Sequence, residues 1–154
     1  MESRAAALQQ MKRVLVTHGR LGLSVFSDIE RTPAALALSE ALDRRVGLDA
    51  SRPKRSEHSL ADKAELRGLV ADAGFRNIRI TTVVKQLQFP SAADWVRIQL
   101  SASPLAAVLN GLAPDRAELV SSAVIADVTS ALASYRGEAG ISVPQEAHVL
   151  LAAA

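Results

Sequence analysis

The chain has 154 residues with 18 basic and 16 acidic side chains, a formal net charge of +2, and so no strong field to draw in nucleic acid. Zero cysteines exclude a disulfide framework, a thiol nucleophile and a thiolate metal site. No run approaches the roughly 20 apolar residues of a membrane span, and the N-terminal "MESRAAALQQMKRVL" lacks the continuous apolar core of a signal peptide. The reading is a cytoplasmic protein of one domain, residues 1–154, whose core is built from Ala, Leu and Val because aromatics make up only 3% of the chain. Its richness in Ala and Arg suits a GC-rich bacterial genome.

Residues 3 to 13 set Ala6, Ala7, Leu8 and Met11 near one face at helical spacing, so a helix leads the chain. "THGR" is a turn in which Gly19 is expected to take positive φ, and Leu21, Leu23 and Val25 alternate with small or polar residues as a strand does. Thr32 before Pro33 predicts a capped helix start, with Leu36, Leu38, Leu42 and Val46 on its apolar side and Gly47 at its end. Residues 48–59, "LDASRPKRSEHS", are the most polar and least periodic stretch and read as an exposed loop.

From Ser59 a capped helix is predicted, with Leu66, Leu69, Val70 and Ala73 inward and Gly74 as its left-handed terminator. "RNIRITTVVKQLQF" follows as a strand whose apolar face changes near Val83, which predicts a bulge or bend there. After Pro90 comes a helix with Trp95, Ile98, Ala102 and Leu105 on one side, broken by Pro104. Pro114 opens a long helix through about Tyr135 with Val120, Val124, Val128 and Ala131 in register. "RGEAG" turns the chain into a last strand, "ISVPQEAHVLLAAA", in which Pro144 keeps the early pairing incomplete.

This order of elements resembles the C-terminal half of a class I methyltransferase that uses S-adenosylmethionine. "ALQQMKRVLVTHGRLGLSVFSDIE" is similar to the family segment in which a helix delivers Arg-Val-Leu, a Pro-Gly-Gly-Arg-Leu turn follows and a strand ends in an aromatic residue. Arg13, Val14, Leu15, Gly19, Arg20, Leu21 and Phe26 match, while Thr17 and His18 replace the usual Pro-Gly and Phe26 stands where tryptophan is common. Ala73, Gly74 and Phe75 resemble the family's Ala-Gly-Phe turn, and "PQEAHVLLAAA" its closing antiparallel strand. The resemblance implies an α/β fold: a partial Rossmann-like methyltransferase sheet of about three strands, the last antiparallel, with covering helices.

The family holds its cofactor in a glycine-rich turn after the first strand and with an acidic residue ending the second. The glycines let backbone and helix N-terminus approach the ligand, and the acid accepts from ribose hydroxyls. Glycines here stand at 19, 22, 47, 68, 74, 111, 137 and 140, and none opens such a turn. Two βαβ units would need roughly 60 residues before Leu21. The implied S-adenosylmethionine site is therefore largely missing, and no cofactor-binding residue is assigned.

By the same resemblance His18 lies in a turn near the substrate cleft, Phe26 ends the adjoining strand, and Trp95 belongs to a helix covering the substrate; a solvated turn residue and a core tryptophan are the plain alternatives. Glu57 and His58 beside "RPKR" form either an acid–base pair over a cleft or a charged surface loop, and the basic run itself reads as solvated. Glu146 and His148, two apart on the last strand, point the same way, but no third ligand is spaced to complete a metal site. Ser24 has no nucleophile elbow. The substrate-pocket candidates are thus His18, Phe26, His58 and Trp95, with catalytic residues unassigned and no metal.

The functional expectation is a truncated or split methyltransferase-like protein, inactive without its cofactor-binding half. Its expected partner is a second copy or a chain supplying the N-terminal half, since the strand at Leu21 would otherwise bare an edge. The alternative is a non-catalytic module derived from a methyltransferase, either binding a small apolar ligand between residues 90 and 135 or serving dimerisation.

Overall fold

The computed structural model describes residues 4–102 and 104–154; Ser3, where the first predicted helix begins, and the side chain of Ala102 lie outside that description. The elements are helix α1 (Arg4–Val14), strand β1 (Arg20–Phe26), helices α2 (Pro33–Arg45), α3 (Arg52–Ser56) and α4 (Lys63–Asp72), strand β2 (Arg76–Phe89), helices α5 (Ala92–Ala102), α6 (Ala106–Asn110) and α7 (Pro114–Ala131), and strands β3 (Arg136–Gly137) and β4 (Gly140–Ala153). The fold is mixed α/β, with one sheet ordered β1-β4-β2 and β3 paired to the start of β4. The fourth, two-residue strand is additional to the three expected.

β1 runs antiparallel to β4, with Arg20 opposite Ala153 and Phe26 opposite Ala147. The side-chain bonds Thr82–His148 and Ser142–Gln86 step in opposite directions along β2 and β4, as they do between antiparallel neighbours. The last strand is therefore antiparallel, as the resemblance implies.

The chain divides into two compact units, each with its own apolar core. Unit 1 comprises Met1–Asp28, His58–Val84 and Glu146–Ala154. Its core is Leu8, Leu21, Leu66, Val70, Phe75, Leu150 and Ala152, with a full burial worth about 1.5–3 kcal/mol for each large side chain. Lys12 of α1 reaches this core's edge: its ammonium lies over the Phe75 ring, 5.1 Å from the centroid, and donates to the Gly74 carbonyl at 2.6 Å. Met11, predicted inward, is exposed.

Two local details of unit 1 differ from the sequence reading. The left-handed residue of the turn before β1 is His18, with φ of 64°, and not Gly19. Gly19 is instead required for close approach, since its N–H donates to the Val16 carbonyl at 2.8 Å and a Cβ would sit 2.8 Å from that same oxygen. The cap of α4 is Asp62, not Ser59: its carboxylate accepts from Ala64 N at 2.6 Å and Glu65 N at 3.0 Å. An ionised acceptor two and three residues ahead of free amides outcompetes a hydroxyl farther upstream. Gly74 terminates the helix with φ of 87°, as predicted.

Unit 2 comprises Ile29–Glu57 and Lys85–Gln145. Leu38 and Leu42 of α2, Val96 and Leu100 of α5, and Val124 and Val128 of α7 fill its core with Leu105, Leu132 and Val143. The helix break at Pro104 and the register of Val120, Val124 and Val128 are as predicted. Ile98 is 49% exposed and Ala131 is exposed, however, because Trp95, Val96, Leu100 and Leu132 take the inward positions. Thr32 precedes α2 without a side-chain cap; its hydroxyl accepts from Gln145 Nε2 at 3.3 Å.

The polar stretch 48–59 is no open loop. α3 forms inside it, and Ser51 and Lys54 are buried. Asp43 accepts from both the backbone N–H and the hydroxyl of Ser51, while the Lys54 ammonium donates to Glu57 Oε2 at 2.8 Å and Gln99 Oε1 at 2.7 Å. Such partners are what permit a charge to leave water. The change of apolar parity along β2 has a related cause: Ile78 and Ile80 pack in the core of unit 1, Leu87 and Phe89 in that of unit 2.

Candidate functional site

In open α/β sheets ligands gather outside the carboxyl ends of the strands. The carboxyl end of β1 carries Phe26 and then Ser27, which is buried and tied to β4 through its N–H and its hydroxyl, both directed at the Glu146 carbonyl at 3.2 and 3.4 Å. This double tie fixes the direction of the Ser27 carbonyl. His58, only 7% exposed, donates from Nδ1 to that carbonyl at 2.7 Å, and its ring stacks on Phe26 with centroids 5.2 Å apart.

A carbonyl oxygen can only accept, so the His58 proton sits on Nδ1 and the neutral ring keeps its lone pair on Nε2. Nε2 has no hydrogen-bond partner among the described residues and is not sealed from solvent. It can accept a hydrogen bond or a proton from a bound molecule. The Phe26 ring beside it offers an apolar face.

The second buried histidine of unit 1 has the opposite tautomer and no spare valence. His148 donates from Nε2 to the Ala61 carbonyl at 2.9 Å and accepts at Nδ1 from the Thr82 hydroxyl at 3.1 Å. It ties the segment after His58 to β4 and β2. His148 is thus a positioning residue, and His58 is the histidine left with an open nitrogen.

His18 is exposed at the opposite end of β1, and the seven-residue strand from Arg20 to Phe26, at about 3.3 Å per step, sets it about 20 Å from the His58 site. Phe26 and His58 are brought together. Trp95 lies 5% exposed in the core of unit 2, among its apolar residues. Glu57 is engaged by Lys54 and His58 by Ser27, so neither alternative for this pair holds as stated: the two do not partner each other, and His58 is buried rather than part of a surface loop. Ser27, Thr82 and the Ala61 carbonyl were not legible as site residues; a hydroxyl or a carbonyl carries no mark in sequence of the histidine it will hold.

Among the described residues no three of His, Asp and Glu gather as a metal-ligand set. The two strand-to-helix passages, Phe26-Ser27-Asp28 after β1 and Phe89-Pro90-Ser91 after β2, contain no glycine, so a Cβ stands wherever a nucleotide-like cofactor would need close backbone approach. The residues present do not fit S-adenosylmethionine.

No protein-family model and no curated protein matches the chain. Among solved structures it is similar to a Bacillus halodurans protein whose description assigns it provisionally to the methyltransferases, at 16% identity and a TM-score of 0.43 over 97% of this chain. The chain spans 57% of the length of that protein.

Proposed function

We propose that these residues are the acceptor side of a truncated or split methyltransferase-like protein of a bacterial cytoplasm, inactive without a cofactor-binding half. The observation that carries this reading is β4: it lies antiparallel beside β1, the strand that carries the end of the matched "RVL…GRL" segment, as the closing strand of the resembled family does. Phe26 and His58 then stand at the carboxyl end of β1, where an acceptor substrate would bind. Methyl transfer depends on holding donor and nucleophile in line. The contribution of this chain is to present the acceptor to Phe26 and to take its proton at His58 Nε2.

β1 pairs with β4 alone among the described strands, so its other edge keeps free N–H and C=O groups. There a second copy or an N-terminal partner chain adds its own edge and supplies the missing half. Calorimetric titration with S-adenosylmethionine and S-adenosylhomocysteine, with the mass in solution recorded alongside, tests the reading. No binding by the monomer is expected. Saturable binding by a monomer at about micromolar affinity would overturn it.

A second reading, a non-catalytic module for a small apolar ligand, is favoured by a depression of about 390 Å³ in unit 2 floored by Ala92, Leu132 and Ile141. It requires no methyl donor at all, which separates it from the first reading when a partner chain is added.

A further inference from the structure

In unit 1 the residues His148, Leu150 and Ala152 of β4 are buried toward α1 and α4, so by strand alternation Leu151 and Ala153 face the other side of the sheet. Among the described residues no helix of unit 1 covers that side. Leu151 is 55% exposed there, opposite Gly22 of β1, which has no side chain to shield it.

Arg20 of β1 and Arg79 of β2 flank this apolar floor from the two neighbouring strands. Together with Asn77, Leu151, Ala152 and Ala153 they line a depression of about 440 Å³. No carboxylate lines it, and neither guanidinium has an ion-pair or hydrogen-bond partner among the described residues. Arg4, Arg44, Arg45, Arg52, Arg55 and Arg97 each meet an acid, whereas Arg31, Arg76, Arg116 and Arg136 do not among the described residues; what sets Arg20 and Arg79 apart is that both line one hollow. Two guanidinia lining one hollow both attract an anion placed in it, and their planar forks match carboxylate and phosphate oxygens. Asn77, held at φ of 52°, adds an amide to the same rim.

We propose that this face binds a small amphiphilic anion, its carboxylate or phosphate head between Arg20 and Arg79 and its apolar body on Leu151. The site lies at the end of β1 opposite Phe26 and does not depend on the methyltransferase reading.

Amide NMR titrations with hexyl phosphate and hexanoate, alongside inorganic phosphate and hexanol, test the proposal on the full chain. Saturable shifts are expected at Arg20, Gly22, Asn77, Arg79, Leu151 and Ala153, with hexyl phosphate binding about tenfold or more tighter than inorganic phosphate. R20Q/R79Q should lose these shifts while keeping its melting temperature, since both side chains are exposed. L151S keeps both charges and should bring hexyl phosphate down to the affinity of inorganic phosphate. No saturable shift at about 20 mM ligand, or unchanged binding by R20Q/R79Q, would overturn the site. Equal affinity for phosphate and hexyl phosphate would overturn its amphiphilic character, and shifts produced by an acidic hexapeptide but not by hexyl phosphate would reassign it to a protein partner. In co-sedimentation with phosphatidylglycerol vesicles the protein is expected in the supernatant; pelleting would replace the free ligand by a lipid surface.

Discussion

The Phe26 and His58 rings stack at 5.2 Å with 25° between their planes, while His58 Nδ1 is pinned to the Ser27 carbonyl, so the imidazole is fixed by two independent contacts. His58→Ala removes both and should cost about 2–3 kcal/mol. Phe26→Ala, at a position already 37% exposed, should cost about 1 kcal/mol. Urea denaturation of the single and double variants should yield a coupling of about 0.5–1.5 kcal/mol. Strict additivity would mean that the rings are neighbours without interacting, and that nothing beyond the Ser27 bond orients Nε2.

His148 presents a harsher case because both of its nitrogens are engaged. His148→Leu has nearly the right volume but leaves the Ala61 carbonyl and the Thr82 hydroxyl without their partner. A loss of about 2–3 kcal/mol is expected. Hydrogen exchange should then quicken in the 58–62 segment before it does in β4, since the histidine tethers the former to the latter. Uniform exchange across unit 1 would contradict that tethering role.

How much of this was legible in the sequence follows from whether the cause is local. Pro33, Pro104 and Pro114 mark helix boundaries through their own ring, and Val120, Val124 and Val128 declare a buried stripe by spacing alone. His58 is different: its anchor is a backbone carbonyl 31 positions away, a group every residue carries. Lys54 read as solvated because its partner Gln99 lies 45 positions on. The parity change in β2 was visible as a pattern, but its cause, passage from one core to another, depends on which helices pack against each half of the strand.

Ser39 offers a prediction of opposite sign. It is fully buried on α2, and its hydroxyl has no hydrogen-bond partner among the described residues. Ser39→Ala removes an uncompensated polar group and raises helix propensity, so it should stabilise the protein by about 1 kcal/mol. Chemical denaturation measures this directly. A destabilisation of similar size would reveal a partner for the hydroxyl, such as a buried water, and would make Ser39 part of a polar network inside unit 2.

Asp127 of α7 receives two bonds from Arg45 of α2, Nε to Oδ2 at 2.9 Å and Nη2 to Oδ1 at 2.7 Å, with Arg44 at 3.3 Å. The Arg45 hydrogen bond is the main cause holding its carboxyl below the ordinary carboxylate range, with the charges of Arg45 and Arg44 acting the same way against a smaller opposing effect of burial. A carboxyl whose folded pKa is depressed contributes stability above its unfolded value, near about pH 4, and loses that contribution as pH falls through the folded value. Asp62, lowered by the Glu65 and Ala64 amides, titrates in the same sense, so the wild-type profile alone mixes the two groups. The difference between wild type and Asp127→Asn isolates one: the variant should melt lower by a constant margin between about pH 6 and pH 8, and the margin should close as pH falls below about 4. Because both arginines are substantially exposed, added salt should narrow the margin too. A margin unchanged from neutral to acid pH would mean that Asp127 contributes shape to the α2–α7 contact and its charge nothing.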